Sequence, residues 1–187
     1  MAADGLVVVD KSRGWTSHDV VGKLRRIYGT RKVGHAGTLD PMATGVLLVG
    51  IGKATRLLRF LQDDGKRYTG EITFGVSTDS LDAEGAVIEA RDVVVTADDV
   101  QAVLPQFTGA IEQVPPMVSA IKIGGKKLYE LARHGEEVER PARSVTISRL
   151  DLVGFVDGAR PQATVEVECS SGTYIRSLAF DIGAAIG

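Results

Sequence analysis

The sequence has little cysteine and no long apolar run. Cys169 is the single cysteine among 187 residues, which excludes a disulfide framework and a zinc site built on several thiolates. A reducing, cytoplasmic location is therefore expected. Apolar runs such as Val46–Val49 are too short to cross a bilayer, so no membrane association is expected. The first residues lack a basic segment ahead of their short apolar stretch, so we expect no signal peptide.

The motifs of most cofactor-dependent and metal-dependent chemistry are also missing. The segment from Gly50 to Lys53 looks like a phosphate-binding loop, but Leu47 occupies the position of the first required glycine. The histidines do not have the spacing of metal ligands, and no Gly-x-Ser-x-Gly motif is present. We therefore expect neither a cofactor nor a metal ion.

The formal net charge of −2 conceals an uneven distribution. Residues 1–60 carry ten Lys and Arg against four Asp and Glu, whereas residues 61–110 carry three against ten. A basic first third is typical of a surface that faces a polyanion. The alternative is that folding spreads these charges over the surface without a function.

The hydrophobic fraction of 44% is sufficient for a substantial core and excludes a mostly disordered chain. Apolar periodicity predicts strands at 6–9, 46–51, 68–76, 145–155 and 163–169, and helices at 17–28, 54–62, 97–104 and 175–186. Ser17 is the predicted N-cap of the first helix, and the strands at 6–9 and 46–51 are predicted to be buried. These elements indicate an α+β fold with a mixed, largely antiparallel central sheet flanked by helices.

Residues 115–144 differ from the rest of the chain. They combine Pro115-Pro116, the pair Gly124-Gly125 and dense charge with one short helical stretch, Leu128–Ala132. Such a long excursion from a core is usually functional or mobile.

The segment from Gly34 to Gly45 is the strongest candidate for a reactive site. Its glycines permit tight turns and close approach of a ligand. Asp40 precedes Pro41 and is therefore held away from the helical region, so the loop can present one carboxylate rigidly. On these residues alone, a turn or a helix cap is the commoner role for Asp40, and His35 could be a structural side chain.

This segment resembles the catalytic motif of the TruB family, the tRNA pseudouridine-55 synthases. Further blocks resemble that family in the same order along the chain: 10–17, 66–68, 118–122, 125–129 and 169–176. Ser12 stands where the family usually has proline. Bacterial members continue with a segment that completes the catalytic domain and with a small C-terminal RNA-binding domain. The resemblance thus implies that residues 1–187 form a pseudouridine synthase catalytic domain, with an RNA-gripping insertion at about 115–144 and without that C-terminal domain.

The resemblance also implies a reaction and a set of site residues. The expected activity is isomerisation of uridine to pseudouridine in the T-arm loop of tRNA, after the base is flipped out of its stack. Asp40 is the implied catalytic carboxylate, Tyr68 the base-stacking residue and Arg176 the cation that keeps Asp40 ionised. The implied substrate-binding residues are His35, Gly37, Thr38, Tyr174, Lys11, Arg31, Lys32, Lys122, Lys126 and Lys127. Support of the loop is the favoured role for Lys11. A monomer with no obligate protein partner is expected.

Two other functions remain open at this stage. The first is an RNA-binding module that carries out no catalysis. The second is a glycoside-type hydrolase that pairs Asp40 with another carboxylate, such as Asp79 or Asp82, and releases free base.

Overall fold

The structure is a computed structural model that describes residues 4–62, 65–117, 119 and 138–187, together with short strand segments at 122–123 and 126–127. The chain divides into two compact units, Met1–Asp64 and Gly65–Gly187.

The first unit is built on a three-stranded antiparallel sheet with the strand order β1-β3-β2. Its elements are β1 (Gly5–Lys11), α1 (Ser17–Ile27), β2 (Val33–His35), β3 (Gly45–Ile51), a 3-10 helix (Gly52–Leu57) and α2 (Leu58–Leu61). Val20 and Val21 of α1 pack on the sheet against Leu47, Val49 and Ile51 of β3. The apolar face of α1 thus covers one side of this small sheet.

Three predictions for this unit need correction. The strand at 6–9 is only half-buried, because its residues alternate and Val8 on the outer side is 68% exposed; Val46 of β3 is likewise 69% exposed. The N-cap of α1 is Thr16, because Thr16 and Asp19 form a reciprocal capping box. The helix predicted at 54–62 begins two residues earlier, and most of it is a 3-10 helix.

The second unit contains a four-stranded antiparallel sheet with the strand order β4-β11-β10-β7. Its strands are β4 (Lys66–Thr73), β5 (Val76–Thr78), β6 (Val87–Ala90), β7 (Gly109–Gln113), β8 (Lys122–Ile123), β9 (Lys126–Lys127), β10 (Arg143–Val156) and β11 (Gln162–Cys169). Its helices are α3 (Ala97–Val103), a 3-10 helix (Leu104–Phe107) and α4 (Ile175–Ile186). Both β5-β6 and β8-β9 are separate antiparallel pairs.

Apolar residues of α3 and α4 pack against the four-stranded sheet of this unit. Val100 of α3 and Ile182 of α4 join Ile147 of β10 and Val167 of β11 in one core, and each of them is 0% exposed. Cys169 lies in the same core as a free, buried thiol whose pKa is raised because burial disfavours the thiolate.

The α+β fold class is confirmed, and every strand pair in the described part of the chain is antiparallel. The helix predicted at 128–132 lies outside the described residues. Within the ranges that are described, no helix is long and apolar enough to span a membrane.

Gly50 on β3 allows the following 3-10 helix to lie directly on the sheet. A Cβ atom at this position would stand 3.0 Å from the Cα of Thr55 and 3.1 Å from the carbonyl oxygen of Ala54. Because backbone atoms cannot move aside cheaply, we expect Gly50→Ala to lower the free energy of unfolding by about 1–3 kcal/mol. Urea unfolding of the 187-residue chain measures this change.

Gly5→Ala is the matched control, since Gly5 pairs with Ile51 in the same sheet and a Cβ there meets nothing within 4 Å. Equal unfolding midpoints for the two variants would contradict the close packing at Gly50.

Candidate active site

The loop between β2 and β3 carries Asp40, and the N-terminal end of α1 holds this loop in place. Ser17 is 2% exposed, and its hydroxyl accepts a hydrogen bond from the Leu39 N–H at 3.0 Å. The same hydroxyl lies 3.3 Å from the Leu39 carbonyl oxygen, to which it donates. One buried side chain thus binds both backbone groups of the residue that precedes Asp40.

A buried ammonium group holds the other side of the loop. Lys11 at the end of β1 is 1% exposed. Its Nζ donates to the carbonyl oxygens of Trp15 at 2.6 Å, Ser12 at 3.2 Å and Pro41 at 3.3 Å. These contacts fit the favoured role of Lys11 as a support for the loop.

The backbone of the loop closes the arrangement around Asp40, which is itself partly buried. The Gly14 N–H donates to the Pro41 carbonyl at 2.8 Å, and the Ala43 N–H donates to the Asp40 carbonyl at 3.1 Å. Gly37 has a φ of 144°, a value that side-chain-bearing residues rarely adopt. Leu39 and Pro41, the two sequence neighbours of Asp40, are therefore both anchored, and Asp40 lies between them.

His35 ends β2 immediately before this loop. Its ring is packed edge-on against the ring of His18, with 5.6 Å between the centroids. The pKa of His35 is lowered because burial disfavours the imidazolium, while a hydrogen bond with the Gly37 backbone opposes the shift. The imidazole at this position is therefore biased towards its neutral form.

In the second unit, Arg176 lies in the first turn of α4. Its Nη1 donates to the Ser80 carbonyl at 3.0 Å and to the Asp82 carboxylate at 3.2 Å. Both side chains of the ion pair are largely buried, with 12% and 11% exposure. A cation in the first helical turn opposes the helix dipole, so it requires a specific partner, and Asp82 is one.

The loop between β5 and β6 presents Asp82 and is tied together by its own acidic side chains. The Asp82 carboxylate also accepts from the Ser80 hydroxyl at 2.6 Å and from the Glu84 N–H at 3.1 Å. Asp79 accepts from the Ala86 N–H at 2.9 Å. Both carboxylates considered for a hydrolase thus have structural partners within this loop.

Tyr174 directly precedes α4 in this unit, and Tyr68 lies on β4. The side-chain amide of Gln113, which is 1% exposed, pairs with the backbone of Tyr174 through bonds of 2.9 and 3.2 Å. Tyr68 on β4 is partly buried against the core. Gly70 lies two residues further along the same face of β4. A Cβ atom there would stand 3.6 Å from the Ile175 side chain, so the start of α4 lies over β4.

The structure places the predicted site residues in two groups. The first unit contains Lys11, Arg31, Lys32, His35, Gly37, Thr38 and Asp40, and the second contains Tyr68, Tyr174 and Arg176. Lys122, Lys126 and Lys127 lie on β8 and β9, and their side chains are outside the described residues. The roles of all these residues remain predictions.

Three supporting residues escaped the sequence analysis. Ser17 was expected to be a helix cap, Gln113 drew no attention, and Asp82 was considered only as an acid of the hydrolase alternative. The T-x-x-D pattern that begins at Thr16 was the available sign that Ser17 serves another purpose. No cluster of side chains suited to a metal ion occurs among the residues that the structure covers.

Replacing Lys11 by methionine tests its supporting role. The substitution keeps the apolar stem but removes the Lys11 donor from three carbonyl oxygens, of which Pro41 keeps its bond from the Gly14 N–H. We expect the free energy of unfolding to fall by about 1.5–3 kcal/mol, the range for hydrogen bonds to a charged group. Lys53→Met is the control, because the Lys53 side chain is 84% exposed and should tolerate the change. If urea unfolding finds the two variants equally stable, the ammonium of Lys11 does not hold the loop.

Comparison with known proteins identifies the family of this chain. The sequence matches the family described as TruB family pseudouridylate synthase (N terminal domain) over residues 25–175. It is 57% identical to tRNA pseudouridine synthase B of Paenarthrobacter aurescens over 98% of this chain and 60% of that protein. The corresponding protein of Thermobifida fusca is 54% identical over 99% of this chain and 65% of its own length. The chain therefore spans about 60% of the length of these curated relatives.

Solved structures show the same relationship. A crystal structure of a Cbf5-Nop10-Gar1 complex contains a chain that matches with a TM-score of 0.73 and 31% identity, covering 98% of this chain and 44% of that one. An H/ACA RNP bound to a substrate RNA containing 2'-deoxyuridine matches with a TM-score of 0.68 and 27% identity, over 98% of this chain and 43% of the other. The family match covers most of the sequence, and the chain belongs to the TruB family of pseudouridylate synthases.

Proposed function

We propose that the chain is the catalytic part of a tRNA pseudouridine synthase that acts on uridine 55 in the T-arm loop. Family membership and the names of the relatives support a uridine isomerase acting on tRNA. The observation that carries the proposal is the Asp40 loop, in which Lys11 and Ser17 anchor the residues on both sides of one carboxylate. A preorganised carboxylate on a glycine-containing loop is suited to nucleophilic catalysis.

The isomerisation is balanced without any co-reactant. The bond between N1 of uracil and C1′ of ribose breaks, the base turns, and C5 forms a new bond to C1′. The proton on C5 is then lost, and N1 gains one, so no electrons or water are consumed. Asp40 could attack C1′, assist a glycal route or attack C6 of the base, and all three routes need an ionised carboxylate.

Substrate handling accounts for the remaining site residues. A uridine stacked in a folded RNA loop must be flipped out, which costs a few kcal/mol. Stacking on the ring of Tyr68 would offset this cost by about 1–3 kcal/mol. Arg176 has five N–H donors in a rigid fork, and the bond from one of them to Asp82 fixes the orientation of the guanidinium. A guanidinium fixed in this way suits the active-site cation that the family resemblance implies.

The alternatives make different predictions about products. An RNA-binding module would bind the RNA and leave it chemically unchanged, whereas a hydrolase would release free uracil. The hydrolase is less well supported, because Asp79 and Asp82 both serve as acceptors inside their own loop. The cytoplasm as location, a monomeric state and independence from protein partners also remain predictions.

Asp40→Asn tests the proposed nucleophile. The substrate is a T-arm RNA hairpin carrying tritium at C5 of the target uridine, and release of tritium reports substitution at C5. We expect Asp40→Asn to lower the release rate by at least about 10³-fold, while the affinity for the hairpin changes little, because the amide is isosteric but not nucleophilic. The assay uses the 187-residue chain and any longer natural form of it.

Asp92→Asn is the control, since Asp92 is an exposed carboxylate of the second unit that faces Arg160. Tritium release that persists in Asp40→Asn would refute the proposal. Hairpin binding by the wild-type forms without any release would favour the RNA-binding module.

Asp82→Asn tests whether Asp82 positions Arg176. Loss of the carboxylate charge weakens the ion pair, so we expect the release rate to fall about 10- to 100-fold, since small misplacements of catalytic groups have effects of this size. Hairpin affinity should remain near that of the wild type. Asp79→Asn is the matched control, because an asparagine there keeps the oxygen that accepts from Ala86. Equal rates for the two variants would show that the pairing of Asp82 with Arg176 does not matter for the reaction.

A further inference from the structure

The exposed side of α1 carries a groove whose lining includes only one of the site residues predicted above, Arg31. It consists of two adjoining depressions that have Arg26 in common. The first is lined by Gly14, Trp15, His18, Asp19, Gly22 and Arg26. The second is lined by Arg25, Arg26, Gly29, Thr30 and Arg31. We refer to both together as the α1 groove.

The α1 groove starts beside the Asp40 loop. His18 in its lining packs against His35, which immediately precedes that loop. Its neighbour Ser17 binds the backbone of Leu39. From His18 the helix leads away to Arg26, a distance of about 12 Å at the rise of an α-helix. A ligand that leaves the Asp40 loop could therefore continue along this helix.

The far end of the α1 groove is strongly basic. Arg25, Arg26 and Arg31 are exposed, and within the described ranges their side chains make no ion pair or hydrogen bond. The acidic residue of the lining, Asp19, already accepts two hydrogen bonds from Thr16 at 2.9 and 2.6 Å. Among the described residues no ion pair joins Asp19 to the three arginines, so three cations stand against one carboxylate in the lining.

A purely structural explanation covers only part of this cluster. Cations in the last turn of a helix interact favourably with the helix dipole, which accounts for Arg25 and Arg26. It does not account for Arg31, which follows the helix, because the dipole effect fades within the last turn. Three convergent arginines are instead typical of a surface that binds phosphate groups.

Gly22 provides an independent indication of a ligand. Glycine is a poor helix former, so its place in the middle of α1 needs a reason. Packing within the protein supplies none, because a Cβ at Gly22 would meet nothing within 4 Å. A missing side chain on an open helical surface permits close approach of another backbone.

We propose that the α1 groove binds the sugar-phosphate backbone of the RNA strand that leaves the Asp40 loop. The inference rests on the proposed function, since it assumes that the target nucleotide lies at Asp40. A length of about 12 Å accommodates roughly three to four nucleotides at a rise of 3.4 Å. Their phosphates contact Arg26, Arg25 and Arg31, and the Trp15 ring, which is 38% exposed with the Lys23 ammonium 5.3 Å from its centroid, flanks the entrance.

The first experiment measures hairpin affinity as a function of salt concentration for Arg26→Ala, Arg25→Ala and Arg31→Ala. Each variant should weaken binding several-fold at low salt and reduce the slope of log K against log salt by about 0.7–0.9. Arg91→Ala is the control, because it removes the same charge from the second unit, where Arg91 pairs with Glu89. An unchanged slope in all three groove variants would overturn the proposal.

The second experiment locates the strand. Uncharged methylphosphonate linkages are placed one at a time at the four positions on either side of the target uridine. Wild type should lose affinity at specific positions on one side, and Arg26→Ala should show no further loss at the position that Arg26 contacts. If no linkage position distinguishes the two proteins, and the groove variants lose affinity for heparin as much as for the hairpin, the α1 groove is a general polyanion surface and the proposal is wrong.

The third experiment uses Gly22, where stability and binding should change in opposite directions. Gly22→Gln introduces a good helix former into open space, so the urea midpoint should rise. The longer side chain fills the floor of the α1 groove, so hairpin affinity should fall several-fold. Wild-type affinity in this variant would contradict the proposal.

Failure of this inference can be distinguished from failure of the proposed function. If the groove variants weaken hairpin binding but no form of the protein releases tritium, the RNA site on α1 stands and the proposed enzyme activity fails. If tritium release depends on Asp40 but every groove variant binds the hairpin like the wild type, the enzyme activity stands and the RNA site in the α1 groove fails.

Discussion

The buried ammonium of Lys11 is the interaction on which the candidate active site most depends. It gathers three carbonyl oxygens, and one of them belongs to Pro41, next to Asp40. A buried charge is tolerated only when it is well hydrogen-bonded, so these carbonyls have no cheap alternative position. Ser17 binds Leu39 on the other side, and the Asp40 backbone is consequently held from both directions. Rigid presentation of one carboxylate is then a consequence of the fold of the first unit.

The second unit applies the same principle to a cation and to the backbone of an aromatic residue. Asp82 and the Ser80 carbonyl fix the guanidinium of Arg176, while Gln113 fixes the backbone of Tyr174. Largely buried polar groups of this kind restrict side-chain rotation more than exposed pairs do, because each lost hydrogen bond leaves a desolvated partner. Each unit therefore holds several of the predicted site residues in place through buried or largely buried polar contacts.

The sequence predicted the elements with strong periodicity and the residues with unusual local chemistry. The alternation in β10 and β11, the capping box at Thr96 and the glycine-containing Asp40 loop were all evident from short-range patterns. Ser17, Gln113 and Asp82 were missed in their supporting roles, because each one acts through contacts with residues 22 to 94 positions away. Periodicity and spacing contain no information on such contacts. The half-buried state of β1 was missed because four consecutive apolar residues conceal its alternation.

The most direct test of the account is the chemical fate of the target uridine. After incubation with the protein, the T-arm hairpin would be digested to nucleosides and separated by liquid chromatography, and free base in the supernatant would be quantified. The account predicts that one uridine per hairpin becomes pseudouridine, that no uracil is released, and that conversion requires Asp40. Stoichiometric release of uracil, or conversion that is unchanged in Asp40→Asn, would contradict it.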